Sequence, residues 1–222
     1  MTLSILTSIF VNGLPILIAI ICHEIAHGYA AYLLGDDTAK RYGRLSLNPL
    51  HHIDVFGTVI LPLILYFSQI GFIFGWAKPV PIDFYELKNR RLGTVLVAAA
   101  GIVANILLAV FSAVALKVAP LIAMPCLQTL FVSFFTNMVA FNIILALFNA
   151  IPIPPLDGSK ILFGWMKNPL AIKYVNAERY GLWIIILLVF ILPVIGHRLG
   201  YELNFFSRGL INAIYYFNNL LM

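Results

Sequence analysis

Long apolar runs separated by short basic segments set the pattern of the chain: about 3 to 34, 55 to 74, 92 to 118, 127 to 150 and 181 to 196, with a weaker apolar tail from about 209. A helix needs roughly 20 predominantly apolar residues to cross a hydrocarbon core of about 30 Å. The pattern therefore predicts an all-α polytopic membrane protein with about 4–6 membrane segments. The run from 55 to 74 departs from the others, because Gly57, Pro62, Gly71 and Gly75 punctuate it and its β-branched residues suit strands as well as a helix.

Charge bears on that run. Lys40, Arg41 and Arg44 precede it, and Lys78, Lys88, Arg90 and Arg91 follow it, so a single crossing would place one basic cluster on the wrong side of the membrane. A re-entrant hairpin, or membrane-dipping strands over about 55–82, keeps both clusters cytoplasmic and is permitted where irregular backbone is buried in protein. An ordinary crossing helix is the alternative. With the hairpin, the first helix runs inward, 92 to 118 returns outward and 127 to 150 comes back in. The loop carrying Lys160, Lys167, Lys173 and Arg179 is then cytoplasmic too.

Composition excludes a soluble protein: 62% of the 222 residues are hydrophobic, 10% are charged, and the mean hydropathy is +0.97. A formal charge of +5 would suit nucleic acid, but the basic residues sit in the clusters that topology requires, so no nucleic-acid partner is expected. Cys22 and Cys126 lie far apart in or beside apolar runs and indicate neither a disulfide framework nor a thiolate metal site. The first run lacks a basic leader, and cleavage near Ala30 and Ala31 would remove its most chemical residues, so it reads as a retained helix. Residues 1–222 are expected to form a single integral-membrane domain with no soluble accessory domain.

Those chemical residues are His23-Glu24-Ile25-Ala26-His27. On a helix, His23 and His27 are i and i+4 and share one face, with Glu24 a residue away. Two imidazoles and a carboxylate at membrane depth are costly and usually functional. The spacing reads as a zinc site with its own general base, able to take a proton from water. His23 lies about 16 Å from Leu34 at roughly 1.5 Å per residue, which buries the site well below the cytoplasmic surface.

An open catalytic zinc site normally has three protein ligands. The best third candidate is Asp157, an acid in the otherwise uncharged stretch from Asn149 to Gly158. Pro152, Pro154 and Pro155 stop the preceding helix, and Gly158 permits a sharp turn, so the segment can fold back and deliver a carboxylate. A dication with Asp157 and Glu24 sums to zero charge, whereas either acid alone in lipid would be expensive.

The pentad followed by the Leu156-Asp157-Gly158 segment resembles the site-2 protease family of intramembrane zinc metalloproteases. Gly75-Trp76-Ala77-Lys78-Pro79-Val80-Pro81 and Asn48-Pro49-Leu50-His51-His52-Ile53-Asp54 resemble its compact bacterial and archaeal branch, which has neither a PDZ nor a CBS domain. The matches run from about residue 20 to 160. The resemblance implies one Zn²⁺ per chain held by His23, His27 and Asp157, with Glu24 as catalytic base. It implies that Asn149 positions substrate or stabilises the oxyanion. Asn105 is implied at the active site as well, although Ile102 stands where the family often has a proline ahead of that asparagine. The implied function is hydrolysis of peptide bonds within or next to transmembrane segments of membrane-protein substrates. The implied location is a bacterial or archaeal cell membrane, with the site reached from the cytoplasmic side.

Two other classes fit parts of the pattern. A membrane zinc transporter also places histidines and acids in the bilayer, but spreads them along a route rather than converging them beside a base. A catalytically silent binder of membrane proteins would not need Glu24. Among the remaining polar residues, His51, His52 and Asp54 read as loop or supporting residues with a second metal site as the alternative. Asn137 and Asn142 read as interhelical hydrogen-bonding residues, with a place for Asn142 facing the substrate groove as the alternative, and Trp76, Trp165 and Trp183 as interface anchors.

Overall fold

The computed structural model describes residues 6–67, 75, 77–166, 178–198, 208, 209, 212, 215 and 216. Among these every regular element is helical and no strand occurs. Helix α1 (Leu6–Leu33), with a wider π turn at Ile9–Gly13, is apolar and long enough to cross a membrane. So are α4 (Arg90–Leu116), extended by a 3-10 turn to Leu121, and α5 (Pro125–Asn149). Between α1 and α4 lie the short α2 (Thr38–Arg41) and α3 (Leu61–Phe67), the latter continuing a π-helical turn at Val55–Ile60. After α5 come α6 (Asp157–Trp165), α7 (Glu178–Ile186) and α8 (Leu192–Arg198), the last two joined by a π turn.

The expectation of strands over 55–82 is corrected for the described part. Residues 55–67 are helical because Asp54 nucleates a turn: its carboxylate accepts the Gly57 N–H at 2.6 Å, and its own N–H donates to the Thr58 hydroxyl at 3.0 Å. That reciprocal capping outweighs the β propensity of the valines. Residues 77–83 form no helix and pair with no strand. Residues 68–74, on which crossing or re-entry depends, lie outside the described residues, as do Trp76, Lys167 and Lys173.

Helix α4 is central, packing against α1, α5 and α6. Small residues allow close approach: Ala109 and Ala113 meet Val139 and Ile143 of α5, and Val97 meets Ala31 of α1. Hydrocarbon gives no drive to hide Leu107 and Phe111, which stay 63% and 64% exposed on the outward side of α4. Polar residues tie the spans instead. Asn137 donates to the Val11 carbonyl at 2.8 Å and to Asn12 Oδ1 at 3.0 Å, joining α5 to α1. Asn142 joins α5 to α4 through Asn105.

Candidate metal centre and active site

His23 and His27 stand one turn apart on α1, and α4 offers Val97, Gly101 and Asn105 at the same four-residue step. The two helices run antiparallel, so His27 meets Val97 and His23 meets Asn105. His27 Nδ1 lies 2.7 Å from the Val97 carbonyl, and His23 Nδ1 lies 2.6 Å from Asn105 Oδ1. Both oxygens can only accept, so each imidazole carries its hydrogen on Nδ1 and keeps a lone pair on Nε2.

Those lone pairs converge. The two Nε2 atoms are 3.0 Å apart, and each is 3.1 Å from Asp157 Oδ2. All three residues are buried, with 7%, 7% and 5% of their surface exposed. Three unshared pairs at that separation repel one another unless a positive centre lies among them, and in a protein interior the repulsion is weakly screened. The donor set therefore fits a divalent cation, and His23, His27 and Asp157 form the one fully buried group of potential metal ligands among the described residues.

The position of Asp157 follows from the chain just before it. Helix α5 ends at Asn149, the prolines prevent its continuation, and the backbone doubles back so tightly that a Cβ on Gly158 would lie 2.2 Å from the Ala150 carbonyl oxygen. Asp157 then opens α6, which packs on α4. Its second oxygen, Oδ1, lies 3.3 Å from Lys160 Nζ, leaving Oδ2 for the histidines. Burial opposes ionisation of Asp157, while the ammonium of Lys160 beside Oδ1 favours the carboxylate.

Gly101 makes room for the imidazoles. A Cβ there would stand 2.5 Å from His27 Cε1 and Nε2 and 2.6 Å from His23 Cε1. Gly101→Ala is accordingly expected to push both rings out of register and lower metal affinity by at least the roughly 10–100-fold typical of losing a supporting group. Equilibrium dialysis against a competing chelator measures this. Wild-type affinity in the alanine variant would show that the rings can give way.

Glu24 is half-buried, and its Oε2 accepts the Val80 N–H at 2.8 Å. The segment supplying that N–H is itself anchored. Arg44 Nη2 donates to the carbonyls of Lys78 at 2.7 Å and Pro79 at 3.3 Å, and the Lys78 N–H donates to His52 O at 2.9 Å. These bonds occupy main-chain groups that a substrate strand docking on 77–82 would need, and Pro79 and Pro81 have no N–H to offer. A cavity of about 200 Å³ brings together His23, Glu24, His27, Asn149, Asp157 and Lys160. A second, of about 410 Å³ and mostly apolar, shares His23, Glu24 and Asn149 and is walled by Ile20, Leu145 and Phe148.

Of the asparagines read from the sequence, Asn149 lines both cavities and donates one Nδ2 hydrogen to Leu145 O at 3.0 Å. Asn105 sits behind His23, fully buried and lining neither cavity. Its Nδ2 hydrogens go to Ala19 O at 3.1 Å and Asn142 Oδ1 at 2.8 Å. It has no donor left for a substrate. His52 Nε2 donates to Ser46 O and His51 Nδ1 to Gly43 O, while Asp54 caps a turn, so these three shape the loop. The sequence reading missed Gly101, the Val80 N–H, Arg44 and Lys160. Gly101 had a signal, since Val97, Gly101 and Asn105 repeat the histidine spacing, and Lys160 lies one turn beyond Asp157; the other two are non-local contacts with none.

Residues 116–193 match the family described as Peptidase family M50. The chain is also 38% identical over 194 residues to "Putative zinc metalloprotease YwhC" of Bacillus subtilis (strain 168), an overlap of 86% of this chain and 84% of that protein. No solved structure matches it. That identity, sustained over most of both chains, places the protein in peptidase family M50, the site-2 protease family of intramembrane zinc metalloproteases.

Proposed function

We propose that the protein is an intramembrane zinc metalloendopeptidase of the His-Glu-x-x-His type that cuts peptide bonds within or next to transmembrane segments of membrane-protein substrates. The observation that carries this reading is the convergence of two imidazole lone pairs and one carboxylate oxygen, with Glu24 beside them in the same cavity. Zinc–ligand bonds of about 2.0–2.2 Å in tetrahedral geometry set ligand atoms roughly 3.3–3.6 Å apart. The observed 3.0 and 3.1 Å differ by a few tenths of an ångström. His23, His27 and Asp157 would hold one Zn²⁺ per chain. When bound, the metal supplies a Lewis acid that polarises a carbonyl and makes water more acidic.

The protein's own groups supply the rest. Glu24 takes a proton from the attacking water as the water oxygen bonds to the scissile carbonyl carbon. When the C–N bond breaks, Glu24 returns that proton to the leaving amine. The Val80 N–H holds one carboxylate oxygen of Glu24, which fixes the direction in which the other faces. Asn149 has one amide hydrogen not given to Leu145, and offers it to the substrate carbonyl as negative charge develops there. Lys160 keeps Asp157 ionised and turned toward the histidines.

The membrane arrangement follows from the same site. The end of α1 lies beside the start of α4, where the Lys88 N–H donates to Leu34 O, and basic residues cluster there. The positive-inside rule makes that end cytoplasmic and opens the site to that side. The three spans, with the helical stretch 178–198 as a fourth and 55–67 dipping in, give a count within 4–6. On this reading the described helices belong to one integral-membrane domain.

The test is purification in detergent, metal analysis, and incubation with a peptide corresponding to a transmembrane helix. One zinc per chain, cleavage abolished by chelation and restored by zinc are the expected results. Cleavage indifferent to stripping of the metal, or zinc carried across vesicles by protein that cuts nothing, would refute the assignment.

A further inference from the structure

Both histidines have their Nδ1 hydrogen fixed, but by different means. For His27 the acceptor is the main-chain carbonyl of Val97, which no substitution removes. For His23 it is a side chain, Asn105, and the orientation of that side chain depends on another.

The orientation can be followed group by group. Asn142 Nδ2 donates to Met138 O at 2.7 Å, one turn back on α5, which turns Asn142 Oδ1 toward α4. That oxygen accepts from Asn105 Nδ2 at 2.8 Å, and the other Nδ2 hydrogen of Asn105 goes to Ala19 O on α1 at 3.1 Å. With both hydrogens spent, Asn105 presents only Oδ1 to His23, at 2.6 Å. If either amide flipped, two N–H groups or two carbonyls would face each other. Both asparagines are fully buried, and buried amides whose groups are paired in only one arrangement are held to it by the cost of leaving a donor or acceptor unmade.

We propose that Asn142 and Asn105 are positioning residues: a two-amide relay, reaching from α5 through α4 to α1, that fixes the hydrogen of His23 on Nδ1 and aims its Nε2 lone pair at the metal position. The inference rests on the zinc reading above. It goes beyond that reading by giving Asn105 no contact with substrate, and by assigning Asn142 a role in a site from which it is one residue removed. Losing the outer link frees the Asn105 amide to turn its NH₂ toward His23. That change favours a hydrogen on Nε2, where it would block the metal. A packing role alone predicts no such selectivity between the two histidines.

The experiment compares wild type with Asn105→Leu, Asn105→Asp and Asn142→Leu, each purified in detergent. Zinc affinity is measured by chelator competition, the thermal midpoint is taken on metal-free protein, and ¹⁵N-histidine spectra of the metal-free protein report which ring nitrogen holds the hydrogen. Asn105→Leu and Asn142→Leu are expected to lose about 10–100-fold in zinc affinity. Asn105→Asp, which keeps the acceptor, should recover most of that loss. The spectra should show the His23 hydrogen moving to Nε2 in Asn142→Leu while His27 is unchanged. The relay is overturned if the leucine variants bind zinc as wild type does, if both histidines change together, or if Asn105→Asp is no better than Asn105→Leu. Should the leucine variants fail to fold, Asn142→Ser in place of Asn142→Leu and Asn105→Asp give the same comparison. Wild-type protein that binds no zinc would defeat the metal reading instead, and the metal-free histidine spectra would still test the relay.

Discussion

Asp157→Ala is expected to leave the protein folded but unable to retain zinc, and to abolish cleavage with it. The substitution removes the one anionic atom of the converging set, Oδ2, which lies 3.1 Å from both imidazoles. Two neutral imidazoles remain, too few for a stable catalytic site and without charge to balance a dication in a membrane interior. Lys160 also loses its carboxylate partner, but it is more than a third exposed and can turn to water. The loss in affinity should exceed the roughly 10–100-fold associated with supporting groups, because a ligand itself is gone. Metal analysis after gel filtration, with the thermal midpoint of metal-free protein as a folding control, measures it. A zinc content equal to wild type would mean that the third ligand lies elsewhere.

Glu24→Gln is expected to separate metal from chemistry. Glutamine has nearly the same shape, and its Oε1 can still accept the Val80 N–H, so the extended segment over the site keeps its anchor. Zinc content should match wild type. What glutamine cannot do is take a proton from water, and general base catalysis typically contributes about 10²–10⁴-fold. Cleavage of a transmembrane peptide should fall by that order. Glu24→Ala provides a useful contrast, since it also frees the Val80 N–H and should perturb the segment from 77 to 83 in addition to removing the base. Glu24→Gln protein that cut at the wild-type rate would show that the proton goes to another group.

The three long apolar helices and the grouping of His23, His27 and Asp157 were legible in the sequence because they depend on local rules: run length, the four-residue helical period and the tendency of proline to end a helix. Asp157 was within reach for the same reason, as an isolated acid just beyond a helix. Asn105 was visible as a residue but its surroundings were not. Nothing local distinguishes an asparagine that faces a substrate from one that faces the back of a histidine; that depends on the pairing of α1 with α4. The helical character of 55–67 was obscured because glycine and β-branched residues argued for strands, while the deciding contacts were the short-range capping bonds between Asp54, Gly57 and Thr58. Arg44 looked like one more member of a basic cluster. Its hold on the Lys78 and Pro79 carbonyls is a product of tertiary structure alone.

The division of the proposed metal ligands between α1 and the start of α6 has a consequence for biogenesis. Ribosomes deliver the two imidazoles early and the aspartate only after two further spans have entered the bilayer. During synthesis the nascent chain would therefore carry the proposed base well before it could hold a cation with all three proposed ligands. On that reading, competence to cut would arise only once insertion of the chain is nearly finished.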